Sequence, residues 1–156
     1  TINTKYGNVV TDHILFIASG AFHHAKPSNL LAELQGRLPI RVQLQGLTED
    51  DMYRILTEPV TNLVKQQVEL MRTEGIQLIV EDAAIREIAR VATQANELLE
   101  NIGARRLHTI IERIMETISF EAPDMTPGDS ITISKELVEE KVSSMLEKSD
   151  LSKYIL

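Results

Sequence analysis

Asn101-Ile-Gly-Ala-Arg-Arg-Leu107 leads into a run with apolar residues at Leu107, Ile110, Ile111, Ile114 and Ile118. The three- and four-residue spacing predicts an amphipathic helix from about Arg105 to about Ile118, buried along that stripe. Two arginines open it, Arg105 and Arg106. A helix start carries partial positive charge and favours acids, so this is an unusual place for two cations. Residues 108 to 110, three and four positions on from the pair, are His, Thr and Ile, so no intrahelical ion pair accounts for the arginines. An anion at the helix start would, because phosphate suits both free N–H groups and a guanidinium fork. The alternative is one solvated arginine and one paired with a distant acid.

Outward from this helix the chain reads as a helical domain on a short sheet. Thr48-Glu-Asp-Asp51 is a near capping box ahead of an apolar run ending at Pro59. A helix is expected from Val60 to Thr73, ending before Gly75, then a strand over Ile76 to Val80. Asp82 starts a helix with Ile85, Ile88, Ala89, Ala92 and Ala95 on one face. Residues 96–103 are expected as a loop. Ser130 to Ser134 reads as a second strand, and Lys135 to about Leu146 as a last helix.

The first 45 residues have another character. His13-Ile-Leu-Phe-Ile-Ala18 is apolar on both faces, as in a central strand of a parallel α/β sheet. Pro39-Ile-Arg-Val-Gln-Leu-Gln45 alternates like a half-exposed strand. Between them a short helix is expected around Asn29 to Leu34, and a turn at Tyr6-Gly7-Asn8 near the start. A strand as apolar as Ile14–Ala18 does not stand alone in water, so this part is expected to be the end of a larger α/β domain cut off upstream.

Composition narrows the function classes. The chain has 156 residues and a net charge of −7, which argues against a general nucleic-acid binder. It has no cysteine, which removes disulfides and thiolate metal sites and fits a reducing cytoplasm. Its longest apolar run, Ile14 to Ala18, is far too short to span a bilayer, so no membrane role is expected. No metal site is expected: His23-His24 are adjacent rather than spaced to share an ion. There is no Gly-x-x-x-x-Gly-Lys-Ser/Thr loop to cradle phosphates. The many acids read as exposed helix-face charges that aid solubility.

Two more features call for a reading. Glu33-Leu-Gln-Gly-Arg37 either forms a local Glu33–Arg37 ion pair or presents Arg37 to another subunit's phosphates. The polar segment from Glu147 ends in Tyr154-Ile-Leu156, either frayed or a peptide that binds a partner.

Ile14-Leu-Phe-Ile-Ala-Ser-Gly-Ala-Phe22, Glu33-Leu-Gln-Gly-Arg-Leu-Pro-Ile-Arg-Val42, Ile55-Leu-Thr-Glu-Pro59, Gly103-Ala-Arg-Arg-Leu-His108 and Asp150-Leu-Ser-Lys-Tyr-Ile-Leu156 form one ordered pattern. Together they resemble the C-terminal third of the HslU family of AAA+ unfoldases, along the entire chain. The Gly-Ala-Arg and Gly-Arg-Leu-Pro types recur in related ClpX-like unfoldases, whereas the C-terminal heptapeptide points to the HslU family. The resemblance implies a fold in two parts, an α/β remnant plus an α+β domain. Residues 1–45 would be the last strands of the AAA+ large domain, 46–146 the small lid domain, and 147–156 a peptidase-docking tail.

The resemblance also assigns roles. Arg105 would be the sensor 2 arginine, on the nucleotide phosphates of its own subunit, while Arg106 is left structural. Arg37 would be the arginine finger reaching the neighbouring subunit's γ-phosphate, with Glu33 beside that nucleotide. Ser19 would end the sensor 1 strand, and Ile55 would contact adenine. Leu151, Tyr154, Ile155 and Leu156 would anchor the tail in the HslV peptidase and activate it. Family members often carry Phe in place of Tyr154 and Arg in place of Lys153, changes that keep the character of the tail. The implied assembly is a cytoplasmic homohexamer that works on protein substrates with ATP or ADP and Mg2+. The Walker A lysine and Walker B acids would lie upstream, so this stretch alone is not expected to hydrolyse ATP. The competing reading is a non-catalytic interaction module whose tail binds a partner.

Overall fold

The computed structural model describes residues 1–22 and 24–152. It divides into two compact units, Thr1–Leu44 and the chain from Gln45 onward.

The second unit is built by helices whose ends the sequence specifies closely. Helix α2 (Glu49–Thr57) starts at a reciprocal capping box: the Thr48 hydroxyl accepts from the Asp51 N–H at 3.2 Å, and Asp51 accepts from the Thr48 N–H at 2.9 Å. Helix α3 (Leu63–Thr73) starts later than Val60, because Pro59 closes the preceding turn and Asn62 is the cap, accepting from the Lys65 N–H at 2.9 Å. Its far end is a Schellman turn. Gly75 sits at φ +77, its N–H bonds the Arg72 carbonyl, and the Ile76 N–H reaches Met71. A Cβ at Gly75 would lie 3.2 Å from Pro127, so space as well as φ favours glycine here.

Strand β3 (Gln77–Val80) follows, then α4 (Asp82–Leu98) and α5 (Arg105–Glu121), before β4 (Ser130–Ile133) pairs with β3 in parallel, Gln77 opposite Ser130. A parallel pair needs such a crossover, which here is two helices. Helix α6 (Lys135–Ser152) runs beyond Leu146, since no Gly or Pro interrupts the chain after Lys135. The core joins Met52 and Leu56 of α2, Met71 of α3, Ile88 and Ala92 of α4, the α5 stripe, and Val138 and Val142 of α6. This is the expected set of helices packed on a short sheet. Helices α2 and α4 are also tied at the surface: the Tyr53 hydroxyl donates to Asp82 at 2.5 Å, and Arg86 donates to the same carboxylate while stacking on the ring.

The first unit contains a hairpin, β1 (Ile2–Thr4) with β2 (Gly7–Val9), and helix α1 (Ala32–Arg37). The helix overlaps the expected Asn29–Leu34 but starts three residues later and runs three further, because Pro27–Asn29 closes a tight turn and Leu30 is extended. Residues 14–18 and 39–45 do not form the expected strands. A strand must hand its N–H and C=O groups to a neighbour, and the two strands described in this unit pair with each other. Leu15, Phe16 and Ile17 are 82%, 71% and 85% exposed, so the apolar run is left uncovered.

Candidate functional site

Helix α5 begins at Arg105 with no capping side chain and no acid in its first turn. The Arg106 and Leu107 N–H groups turn back onto the Gly103 and Ala104 carbonyls, at 3.2 and 3.0 Å, so backbone oxygens rather than an acid meet this helix start. The two arginines there have different surroundings. Arg105 is exposed, with no hydrogen bond or ion pair among the described residues. Arg106 is half-buried: its Nε donates to Asn96 Oδ1 at 3.2 Å and its terminal nitrogen to the Glu100 carbonyl at 2.6 Å. The expected distant acid for one arginine is thus replaced by an amide and a backbone carbonyl.

Asn96 is the residue that the sequence does not single out. It falls in the expected loop, but α4 continues to Leu98 and buries it, 9% exposed. Its amide donates to the Gly103 carbonyl at 3.1 Å, and its oxygen accepts from the Ile102 N–H at 3.3 Å as well as from Arg106. The signal was present: Asn96 lies four residues beyond Ala92, on the apolar stripe of α4. A polar side chain on a core stripe must find partners.

Ile55 shares this unit, half-buried in α2 and packed against the core. Glu33, Arg37 and Ser19 belong to the first unit, and all three are exposed. Arg37 closes α1, where a cation complements the helix dipole. No ion pair joins it to Glu33 among the described residues; Gln35 is the tethered side chain, donating to Ser28 and Leu30 carbonyls and accepting from Arg41. Leu151 falls in the last turn of α6, whereas His23, Tyr154, Ile155 and Leu156 lie outside the described residues.

The start of α5 thus combines an exposed guanidinium, no side-chain cap and no acid in its first turn. Among the described residues no group of three His, Asp or Glu side chains could hold a metal ion. Nor is any helix among them long and apolar enough to cross a membrane.

A family model for the C-terminal, D2-small domain of ClpB protein matches residues 47–126. Over all 156 residues the chain is 58% identical to the ATP-dependent protease ATPase subunit HslU of Bradyrhizobium diazoefficiens. It is 57% identical to the protein of the same name from Persephonella marina. The chain spans 36% and 35% of the length of these relatives. It therefore belongs to the family of the C-terminal D2-small domain of ClpB protein, the lid domain of AAA+ ATPases, and is similar from end to end to HslU.

Proposed function

We propose that this chain is the nucleotide-sensing and partner-docking part of an ATP-dependent unfoldase that feeds a separate peptidase. The observation that carries the reading is Arg105, an exposed guanidinium without an acid partner at a helix start that has no acid in its first turn, beside an Arg106 already occupied by Asn96 and Glu100. Arg105 would hold the phosphates bound to its own subunit, with Ile55 near the adenine. Arg37, on its exposed helix end, would reach the γ-phosphate of the neighbouring subunit in a homohexamer, with Glu33 at the same boundary and Ser19 in the sensor 1 region. ATP, with Mg2+, supplies the free energy when bound, while these residues orient its phosphates and balance their charge. Leu151, Tyr154, Ile155 and Leu156 would be the apolar anchors seated in the HslV peptidase, in the manner of a few buried side chains dominating an interface. The setting is cytoplasmic and the substrates are proteins.

In the full-length protein Arg105→Ala and Arg37→Ala are each expected to lower ATP turnover steeply, by ~10³-fold for a lost arginine finger. Mixing distinguishes the two roles. Subunits that supply a finger should restore turnover at Arg37→Ala sites, but not at sites that carry Arg105→Ala themselves. A synthetic peptide of the last seven residues should stimulate the HslV peptidase. Undiminished turnover in both variants would refute the nucleotide roles and leave the interaction-module reading in place.

A further inference from the structure

The direction of the Arg105 side chain depends on something beneath it. Arg105 is the first residue of α5, so the backbone of the preceding connector decides where its guanidinium points. That connector reverses at Gly103, φ +62, a left-handed conformation that glycine adopts at little cost. Packing does not hold the bend. No heavy atom lies within 4 Å of where a side-chain carbon at Gly103 would stand, and Ile102 is 36% exposed.

Hydrogen bonds hold it instead, and they converge on one amide. Asn96 accepts from the Ile102 N–H and donates to the Gly103 carbonyl, gripping both sides of the bend. The same oxygen accepts from Arg106, whose other end donates to the Glu100 carbonyl. Asn101 adds a local bond, accepting from the Gly103 N–H at 2.9 Å. Because Asn96 is buried, its three bonds are partly shielded from water, and losing the amide leaves their partners unmet; the Arg106–Glu100 and Asn101–Gly103 bonds lie at the surface. Placing the Arg106 cation against a helix start is unfavourable in itself, and its two bonds offset that cost.

We propose that Asn96 and Arg106 are positioning residues for Arg105: they clamp the 99–104 connector so that the Arg105 guanidinium is aimed at bound phosphate. This rests on Arg105 being a phosphate contact. Neither clamp residue need touch nucleotide. Their effect on binding would pass through Arg105.

The test is a coupling measurement in the full-length protein, with the fluorescent analogue mant-ADP as the probe. Asn96→Ala and Arg106→Gln are each expected to weaken mant-ADP binding by about fivefold when Arg105 is present, and by less than about twofold in an Arg105→Ala background, as for residues of one network. The fall in Tm caused by either clamp variant should be the same in both backgrounds. Equal weakening in both backgrounds would mean that the clamp only supports the fold, and the proposal would be wrong. Unchanged binding in the single variants would overturn it equally. If Arg105→Ala leaves mant-ADP binding intact, the phosphate reading itself fails and takes the clamp with it. Should Asn96→Ala not fold, Arg106→Gln alters a half-exposed side chain and carries the measurement alone.

Discussion

Among the acids whose burial the structure describes, Glu87 is set apart by being buried. It is 4% exposed on α4, where a carboxylate is costly unless paired. Arg90, one turn on, donates its Nε to both carboxylate oxygens, at 3.0 and 3.1 Å, and its terminal nitrogen to one of them. The Arg90 bonds hold the Glu87 carboxyl below its ordinary value, outweighing the desolvation that opposes them; the charges of Arg90 and Lys135 add to the effect. A carboxyl lowered in the folded state binds fewer protons there than in the unfolded chain. Its stabilisation is therefore present above the ordinary carboxylate range and is lost as pH falls through the folded value. Urea midpoints measured from pH 7 to pH 3 should drop with acidification, and Glu87→Gln should flatten the part of that drop below about pH 4.5. Identical pH slopes for the two proteins would remove Glu87 from the account. Read by pattern, this residue merges with the solvated helix-face acids, because only the fold turns position 87 inward.

At the level of elements, the helix starts differ in how deeply their caps are set. Thr48 caps α2 at the surface, and Thr48→Ala should cost ~1 kcal/mol. Asn62 caps α3 from a buried position, 4% exposed, and its amide also donates to the Thr57 and Pro59 carbonyls at 3.0 and 3.1 Å. Asn62→Ala should therefore cost more, ~2 kcal/mol, since it removes a buried amide that serves two partly buried carbonyl bonds as well as a helix N–H. Urea unfolding would expose an error if the two variants ranked the other way. These caps also mark what the sequence discloses. The box at Thr48 and Asp51 is legible because its partners are three residues apart. The cap at Asn62 is not, because its worth comes from the turn that Pro59 closes behind it. The stripes of α4 and α5 are legible because a 3.6-residue period needs only one covered face. Residues 14–18 mislead for a related reason: apolarity reports a need for cover, whereas a strand also requires edge partners. At the candidate site, Arg105 stands out as a charge in the wrong place. Asn96 does not, since its bonds depend on a bend seven residues away.

For the molecule as a whole, burial is distributed very unevenly between the two units. Among the described residues every fully covered apolar side chain belongs to the unit beginning at Gln45, from Met52 to Val142. The unit Thr1–Leu44 has none, and exposes Ile14, Leu15, Phe16, Ile17, Ile40, Val42 and Leu44. Burial of apolar surface is the main term opposing chain entropy, so a segment without it opens locally at little cost. Opening free energy should then differ sharply along this one polypeptide. In native-state hydrogen exchange of the 156-residue chain, amides of residues 15–22 and 40–44 should exchange nearly as fast as in an unfolded peptide. Amides in the middle of α4 and α5, beneath Ile88, Ala92, Ile110 and Ile114, should exchange only through global unfolding, slower by ~10³-fold or more for a domain of ordinary stability. The same amides in the full-length protein provide the comparison. If residues 14–18 gain protection there while α4 and α5 keep theirs, the uncovered run has found cover that this chain by itself does not supply. Protection of residues 14–18 in the isolated chain equal to that of α4 would contradict the picture of one unit with a core and one without.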